Sequence, residues 1–254
     1  MKNRFDPRDI LVSHILLTRL PIPRLSDKCF ARQNHAVWAF PLAGISVATL
    51  CVALAYIAAI LGFSAPFLAG LVLITSIVLT GAMHEDGLAD VADGFWGGFD
   101  RARRLEIMKD SHIGTYGVLA LIMVSIMRWS ALSSLFRDNG TSALWLLLPV
   151  AALSRAVLPA MMYKLPDARP SGLAQSVGRP GLAAVIAALF IALVTALLIL
   201  GPFKTLVLSI VSVLIVLALA FLALRKIGGK TGDVLGTAQQ LTELSCLLAL
   251  VALI

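Results

Sequence analysis

Long apolar stretches broken by short polar segments dominate this chain, with no run of alternating apolar and polar residues that would suggest strands. A spanning helix needs about 20 mostly apolar residues. Windows that meet this test fall at residues 37–62, 66–83, 114–136, 142–163, 181–200, 203–224 and 234–254, so the pattern predicts an all-α polytopic bundle of about seven transmembrane helices. The last window is the least uniform, because Gln239, Gln240 and Glu243 precede its apolar run. No internal repeat, low-complexity segment or linker divides residues 1–254, which are expected to form a single integral membrane catalytic domain.

Composition agrees: 59% of residues are hydrophobic and 14% charged, and the mean hydropathy is +0.92, whereas a soluble domain is roughly a quarter charged. The net charge of +7 does not imply nucleic acid, because the basic residues are scattered through the connecting segments without forming a face. They read better as topology signals. With residues 1–36 inside, as a cytoplasmic or interfacial segment, the inside segments hold 17 of the 21 Lys and Arg residues, the outside loops only Arg137 and Lys204, and the spans Arg128 and Arg155. The amino end is therefore expected in the cytoplasm. Residues 84–113, the loop 164–180 and Gly228-Gly-Lys-Thr-Gly-Asp233 then share that face. Cys29, Cys51 and Cys246 lack ligand spacing and read as packing residues.

Seven of the fourteen Asp and Glu residues lie between Glu85 and Asp110. Asp86, Asp90 and Asp93, at i, i+4 and i+7, lie within roughly 60° of one another on a helix and span about 10 Å of its axis. Like charges so arranged repel unless a cation neutralises them, and a hard divalent ion such as Mg2+ takes carboxylate oxygens and leaves positions for substrate phosphates. Asp86, Asp90 and Asp93, with Glu85 adjacent, are the expected metal ligands. Gly87 and Gly94 disfavour a helix chosen for stability alone and would admit a substrate or a second helix. Lys109, Asp110 and Ser111 supply a cation, a carboxylate and a hydroxyl before Gly114-Thr-Tyr-Gly117, where helix-start amides could bind an anion. His84 and His112 flank the segment without an evident partner.

Charges inside spans are costly unless paired or facing a polar cavity. Arg155, nearer the inside end, is the better phosphate contact, Arg128 an internal pair, and Glu243 either. The 228–233 turn lacks Walker spacing, but Lys230, Thr231 and Asp233 could still hold phosphate or metal-bound water.

The motifs H-x-D-G-L-A-D-x-x-D-G at His84–Gly94, L-E-I-M-K-D-S-x-x-G-T-x-G at Leu105–Gly117 and G-G-x-T-G-D-x-L-G at Gly228–Gly236 closely resemble cobalamin synthase, the adenosylcobinamide-GDP ribazoletransferase family. Leu17-Thr-Arg-Leu-Pro-Ile-Pro23, Phe40-Pro-Leu42 and Ser154-Arg155 extend the likeness over nearly the whole chain; residues from about Tyr163 to Pro202 match only in character and contribute no site residue. The resemblance implies an integral membrane, magnesium-dependent phosphotransferase of the bacterial inner membrane, its active site facing the cytoplasm. It would join adenosylcobinamide-GDP to α-ribazole or its 5′-phosphate and release GMP, the last step of nucleotide-loop assembly. Phosphoryl transfer requires charge stabilisation and an oriented nucleophile. On that chemistry Asp110 and Asp93 are the catalytic candidates, Asp110 as metal ligand or proton acceptor, while Lys109, Ser111, Arg155, Thr231 and Asp233 would hold substrate. A homo-oligomer stays open. The rival readings are a transporter using its intramembrane charges, disfavoured by the absence of repeats, and a CDP-alcohol-type phosphotransferase, whose D-x-x-D-G-x-x-A-R pattern fails at Phe95-Trp-Gly-Gly98.

Overall fold

The computed structural model describes residues 5–253, which form a helical bundle; among them the only β-type pairing is an isolated bridge between Asp167 and Lys230. Every apolar window contains a helix. A short amino-terminal helix α1 (Arg8–Leu17), two single turns α2 (Asp27–Phe30) and α3 (Gln33–Ala36), and a 3-10 turn lead into α4 (Phe40–Ile60). Then come α5 (Ala65–Thr80), α6 (Met83–Gly97), α7 (Arg101–Ile107), α8 (Thr115–Asn139), α9 (Leu147–Lys164), α10 (Leu173–Val177), α11 (Leu182–Ile227) and α12 (Gly232–Leu253).

By length and composition four helical stretches among the described residues can cross a membrane, or five if the bent pair α5–α6 counts as one. This count is lower than the seven windows because two stretches each hold two of them. One, Thr115–Lys164, is α8 and α9 joined through a 3-10 segment, and the other is α11. At 46 residues an unbroken α11 would be about 69 Å long, over twice the roughly 30 Å hydrocarbon thickness. It breaks at Gly201, whose φ of 76° is left-handed, just before Pro202. Ala184 near its start and Leu219, Ala223 and Ile227 near its end belong to one apolar cluster, whereas Ala192, Ala196 and Leu208 around the break belong to the other. Gly201 therefore reverses the chain, and α11 is a helical hairpin.

Those two clusters divide the bundle. One joins Val47–Ala58 of α4 with the far parts of α5, α8, α9 and α12; the other joins α1, the start of α4, α6, the end of α9, α10 and the start of α12. Between them lies a layer of buried polar groups. Arg128 of α8 and Arg155 of α9 both pair with Glu243 of α12, the latter at 2.7 Å. Arg128 also reaches Glu85 of α6 at 3.3 Å and the Gln240 side chain at 2.8 Å, and Gln239 donates to Glu243. This is how two intramembrane arginines are tolerated. The free thiols Cys51 and Cys246 are buried in the first cluster, as expected of packing residues.

The element that positions the site is the turn from α5 to α6. Gly81 and Ala82 are both left-handed, with φ of 66° and 56°, and they bend the chain by 89°. Since left-handed backbone costs a non-glycine residue roughly 1–2 kcal/mol, Ala82 holds that conformation only because its neighbours impose it. Glycine suits position 81 by its φ, and a Cβ there would also displace the Arg19 side chain, which it would meet at 2.7 Å.

Candidate functional site

The acidic segment folds as predicted into a helix, and α6 packs chiefly on α12 and α8. Glycine permits both close approaches on the α12 side. A Cβ on Gly87 would lie 2.9 Å from the Asp233 carbonyl oxygen, and one on Gly236 would lie 3.3 Å from the His84 Cα. Of the two neighbours expected at Gly87, a substrate or a second helix, the structure shows the second helix, which brings Asp233 alongside Asp86 and Asp90. Gly94 serves α7 in the same way, facing Met108 and the Arg104 carbonyl.

Asp86 is exposed and Asp90 half-buried; Asp90 lies within the fields of Asp233, Asp86 and Asp93 and of the cation Arg169. Arg169 comes from the α9–α10 loop. Its Nη2 donates to Asp233 Oδ2 at 3.0 Å, while its buried Nη1 has no partner among the described residues. The loop is strapped to the glycine-rich turn by the Asp167–Lys230 bridge, with Ala168 N donating to the Lys230 carbonyl at 2.9 Å and Lys230 N to the Pro166 carbonyl at 2.8 Å. Gly229 has to be a glycine, because a Cβ would meet the Ala168 amide at 3.1 Å and run into the Pro166 carbonyl. Lys230, 2% exposed, pairs with Asp167. Thr231 Oγ accepts from Val234 N at 3.2 Å and donates to Asp233 at 3.1 Å. Lys230 and Thr231 therefore build the turn that presents Asp233, and neither is exposed to an incoming ligand.

Asp93 occupies the anion position expected at the start of α8. Its two oxygens accept from Gly114 N at 2.7 Å and Gly117 N at 2.9 Å, and a Cβ on either glycine would collide with the carboxylate. The anion that these amides bind is a side chain of the protein itself. The contact fastens α6 to the loop that carries Lys109, Asp110 and Ser111, all three exposed. Asp110 Oδ1 accepts from its near neighbour His112, at 3.1 Å from the backbone and 2.7 Å from the ring. These hydrogen bonds hold the Asp110 carboxyl below the usual carboxylate range and raise His112.

Glu85 and Arg155, expected as metal ligand and phosphate contact, lie in the buried polar layer. Glu85 accepts from Arg128 and Gln240. Arg155, 5% exposed, donates from Nη1 to both Ser154 and Glu243, which places it within the buried layer. Among the described residues no three His, Cys, Asp and Glu side chains converge as a preformed metal cage.

The residue that sequence reasoning missed is Arg169. It lies in the stretch whose motifs were weakest, and nothing local distinguishes it from Arg179; only the strap to Lys230 directs it to Asp233. A cleft opens beside the acids, enclosing about 750 Å3 of empty space, part of it open to solvent, with His84, Asp86, Arg169 and Asp233 at its polar end.

The family described as cobalamin-5-phosphate synthase matches residues 9–251. Among curated proteins, the adenosylcobinamide-GDP ribazoletransferase of Bradyrhizobium diazoefficiens is 43% identical over 245 residues, covering 96% of this chain and 93% of its own length. Proteins of the same name from Mesorhizobium japonicum and Rhizobium meliloti are 40% and 43% identical, covering 94% and 95% of this chain and 91% and 95% of theirs. No solved structure matches the chain. A family match over all three acidic and glycine-rich motifs, and over the bundle that brings them together, settles the kinship: the chain belongs to the cobalamin-5-phosphate synthase family.

Proposed function

We propose that this protein joins adenosylcobinamide-GDP to α-ribazole or its 5′-phosphate at the membrane, releasing GMP and completing the nucleotide loop of cobalamin. The observation that carries this reading is the convergence of Asp86 and Asp90 of α6 with Asp233 of α12 around Arg169, in a chain whose relatives bear the name of that transferase. In the transfer, the ribose hydroxyl oxygen forms a bond to the cobinamide-linked phosphorus. The bond from that phosphorus to the bridging oxygen breaks, GMP leaves with the electron pair, and the hydroxyl proton passes to a carboxylate of the cluster. Arg169, with one guanidinium nitrogen unpartnered, is placed to donate to a phosphate oxygen. Lys109 and Ser111, on the loop that Asp93 anchors, would contact the leaving nucleotide. Asp110, kept ionised by His112, makes a weak proton acceptor and a better ligand for a cation.

The donor set fits magnesium. The ion takes hard oxygens and is usually held by one or two carboxylates together with substrate phosphates, so Asp86, Asp90 and Asp233 suffice without a cage. When bound, it would neutralise charge on the pyrophosphate. Several apolar helices support a place in the bacterial inner membrane, and the distribution of Lys and Arg supports a cytoplasmic site.

The test is release of GMP from adenosylcobinamide-GDP and α-ribazole by the full chain in detergent or liposomes, with and without magnesium. Product that forms only with the metal is expected, and none under either condition would overturn the assignment. Asp90→Asn should lower kcat by at least 100-fold with an unchanged unfolding temperature; retained turnover would remove Asp90 from the site.

A further inference from the structure

The cleft beside the acids has two unlike ends. Its polar end holds Asp86, Asp233, Arg169 and His84; the rest is walled by Leu17, Phe40, Leu158, Met162 and Val177, drawn from α1, α4, α9 and α10. Aside from His84, the charged residues on it are two carboxylates and one arginine, and that arginine is already paired with Asp233. Beyond the acids, where Arg169 and magnesium would meet the pyrophosphate, the cleft is walled by apolar side chains with no further cation among the described residues, so that wall does not suit the charged GDP moiety. It suits a neutral flat ring carrying a hydroxylated group, since ligand pockets are mostly apolar with a few polar atoms that fix orientation.

His84 is the second, independent indication. It is 2% exposed, lines the cleft, and its Nε2 is buried without a hydrogen-bond partner among the described residues. A buried polar atom left unpaired costs about 1–3 kcal/mol, and native proteins rarely leave one without a use. Gly236, against the His84 backbone, allows α12 to hold this residue at the cleft while Asp233, one turn earlier, faces the acids.

We infer that this cleft is the site of the nucleoside substrate, α-ribazole: its aromatic base lies against the apolar wall, its ribose points to Asp86 and Asp233, and His84 Nε2 makes a hydrogen bond to it. The GDP-activated substrate approaches from the open, acid-lined side. The inference rests on the function proposed above and adds which of the two substrates the cleft takes and which residue recognises it.

Two measurements on the full chain in detergent test it: calorimetric titration with α-ribazole, and steady-state turnover with each substrate varied in turn. His84→Ala should weaken α-ribazole binding at least tenfold and raise the KM for α-ribazole similarly, while the KM for adenosylcobinamide-GDP stays within threefold; His84→Gln, which keeps a polar atom there, should recover part of the loss. Leu173→Trp, at a half-exposed position on the cleft, should obstruct the base and reproduce the same split without disturbing the bundle. If Leu173→Trp and His84→Ala both unfold at the wild-type temperature and bind α-ribazole normally, or if only the KM for adenosylcobinamide-GDP rises, the cleft is not the nucleoside site although the transferase assignment stands. A wild-type protein that neither binds α-ribazole nor releases GMP overturns both.

Discussion

Asp93 shows how both oxygens of one carboxylate can be bound by the protein itself. At 8% exposure it accepts from two backbone amides at the start of α8, where the unpaired N–H groups and the helix dipole favour negative charge. Its sequence phase with Asp86 and Asp90 is real, but the face they share is covered at one end by α8 and open at the other. We expect Asp93→Ala to destabilise the protein by about 0.5–2 kcal/mol, the usual range for a lost cap, and Asp93→Asn by less, because one acceptor oxygen survives. Hydrogen exchange over residues 110–120 should quicken in the order wild type, Asn, Ala, with turnover falling in parallel. Unchanged exchange with turnover abolished would return Asp93 to the metal. Arg169 is the converse case: an unremarkable loop arginine that becomes the cation of the site because a neighbouring strap holds it there.

At the scale of elements, the pairing of α6 with α12 decides which acids meet. Both helices are interrupted by glycines in sequence, and on propensity alone each glycine weakens its helix by about 1 kcal/mol. Their purpose is visible only across the interface, where Gly87 lies against the Asp233 backbone and Gly236 against His84. Gly87→Ala should therefore push the helices apart and cost about 1–3 kcal/mol, as overpacking does. Its activity should fall further than that loss of stability accounts for, since Asp233 moves away from Asp90. The check is a melting curve beside a turnover assay; an alanine variant with normal turnover would show that the register of the two helices is not critical. The loop–turn strap from Pro166–Ala168 to Lys230 works in the same sense, ordering two loops against each other through two backbone hydrogen bonds.

Across the whole molecule, the ionic layer ties the site to the bundle. Glu85, one residue from Asp86, is joined through Arg128 to Glu243, and Glu243 to Arg155, so α6, α8, α9 and α12 share one network between the two apolar clusters. Removing one partner of a buried ion pair strands the other charge at a cost of about 3–5 kcal/mol. Glu243→Gln, which leaves two arginines facing a neutral group, should fall in that range, read as a lower midpoint of unfolding in detergent. Glu243→Gln with unaltered stability would mean that the arginines find water or lipid phosphate instead.

The chain alone determined a good deal: helical windows follow from apolar length, and the acidic helix and its phase follow from spacing. The three motifs, being contiguous, resemble the family whichever way the chain folds. What spacing could not decide is what each acid meets: Asp93 shares a face with Asp86 and Asp90 and differs in what lies opposite it, and Glu85, one position off that face, turns to the buried layer. Glu85 meets Arg128 and Gln240, Asp93 meets two amides, and Asp90 meets Asp233 and Arg169 from segments more than 70 residues away. Likewise an apolar window cannot say whether 46 residues run straight or double back. A local pattern records the environment a residue needs, burial or solvent, whereas the partner that satisfies a buried charge is chosen by packing, and only the tertiary structure brings it into contact.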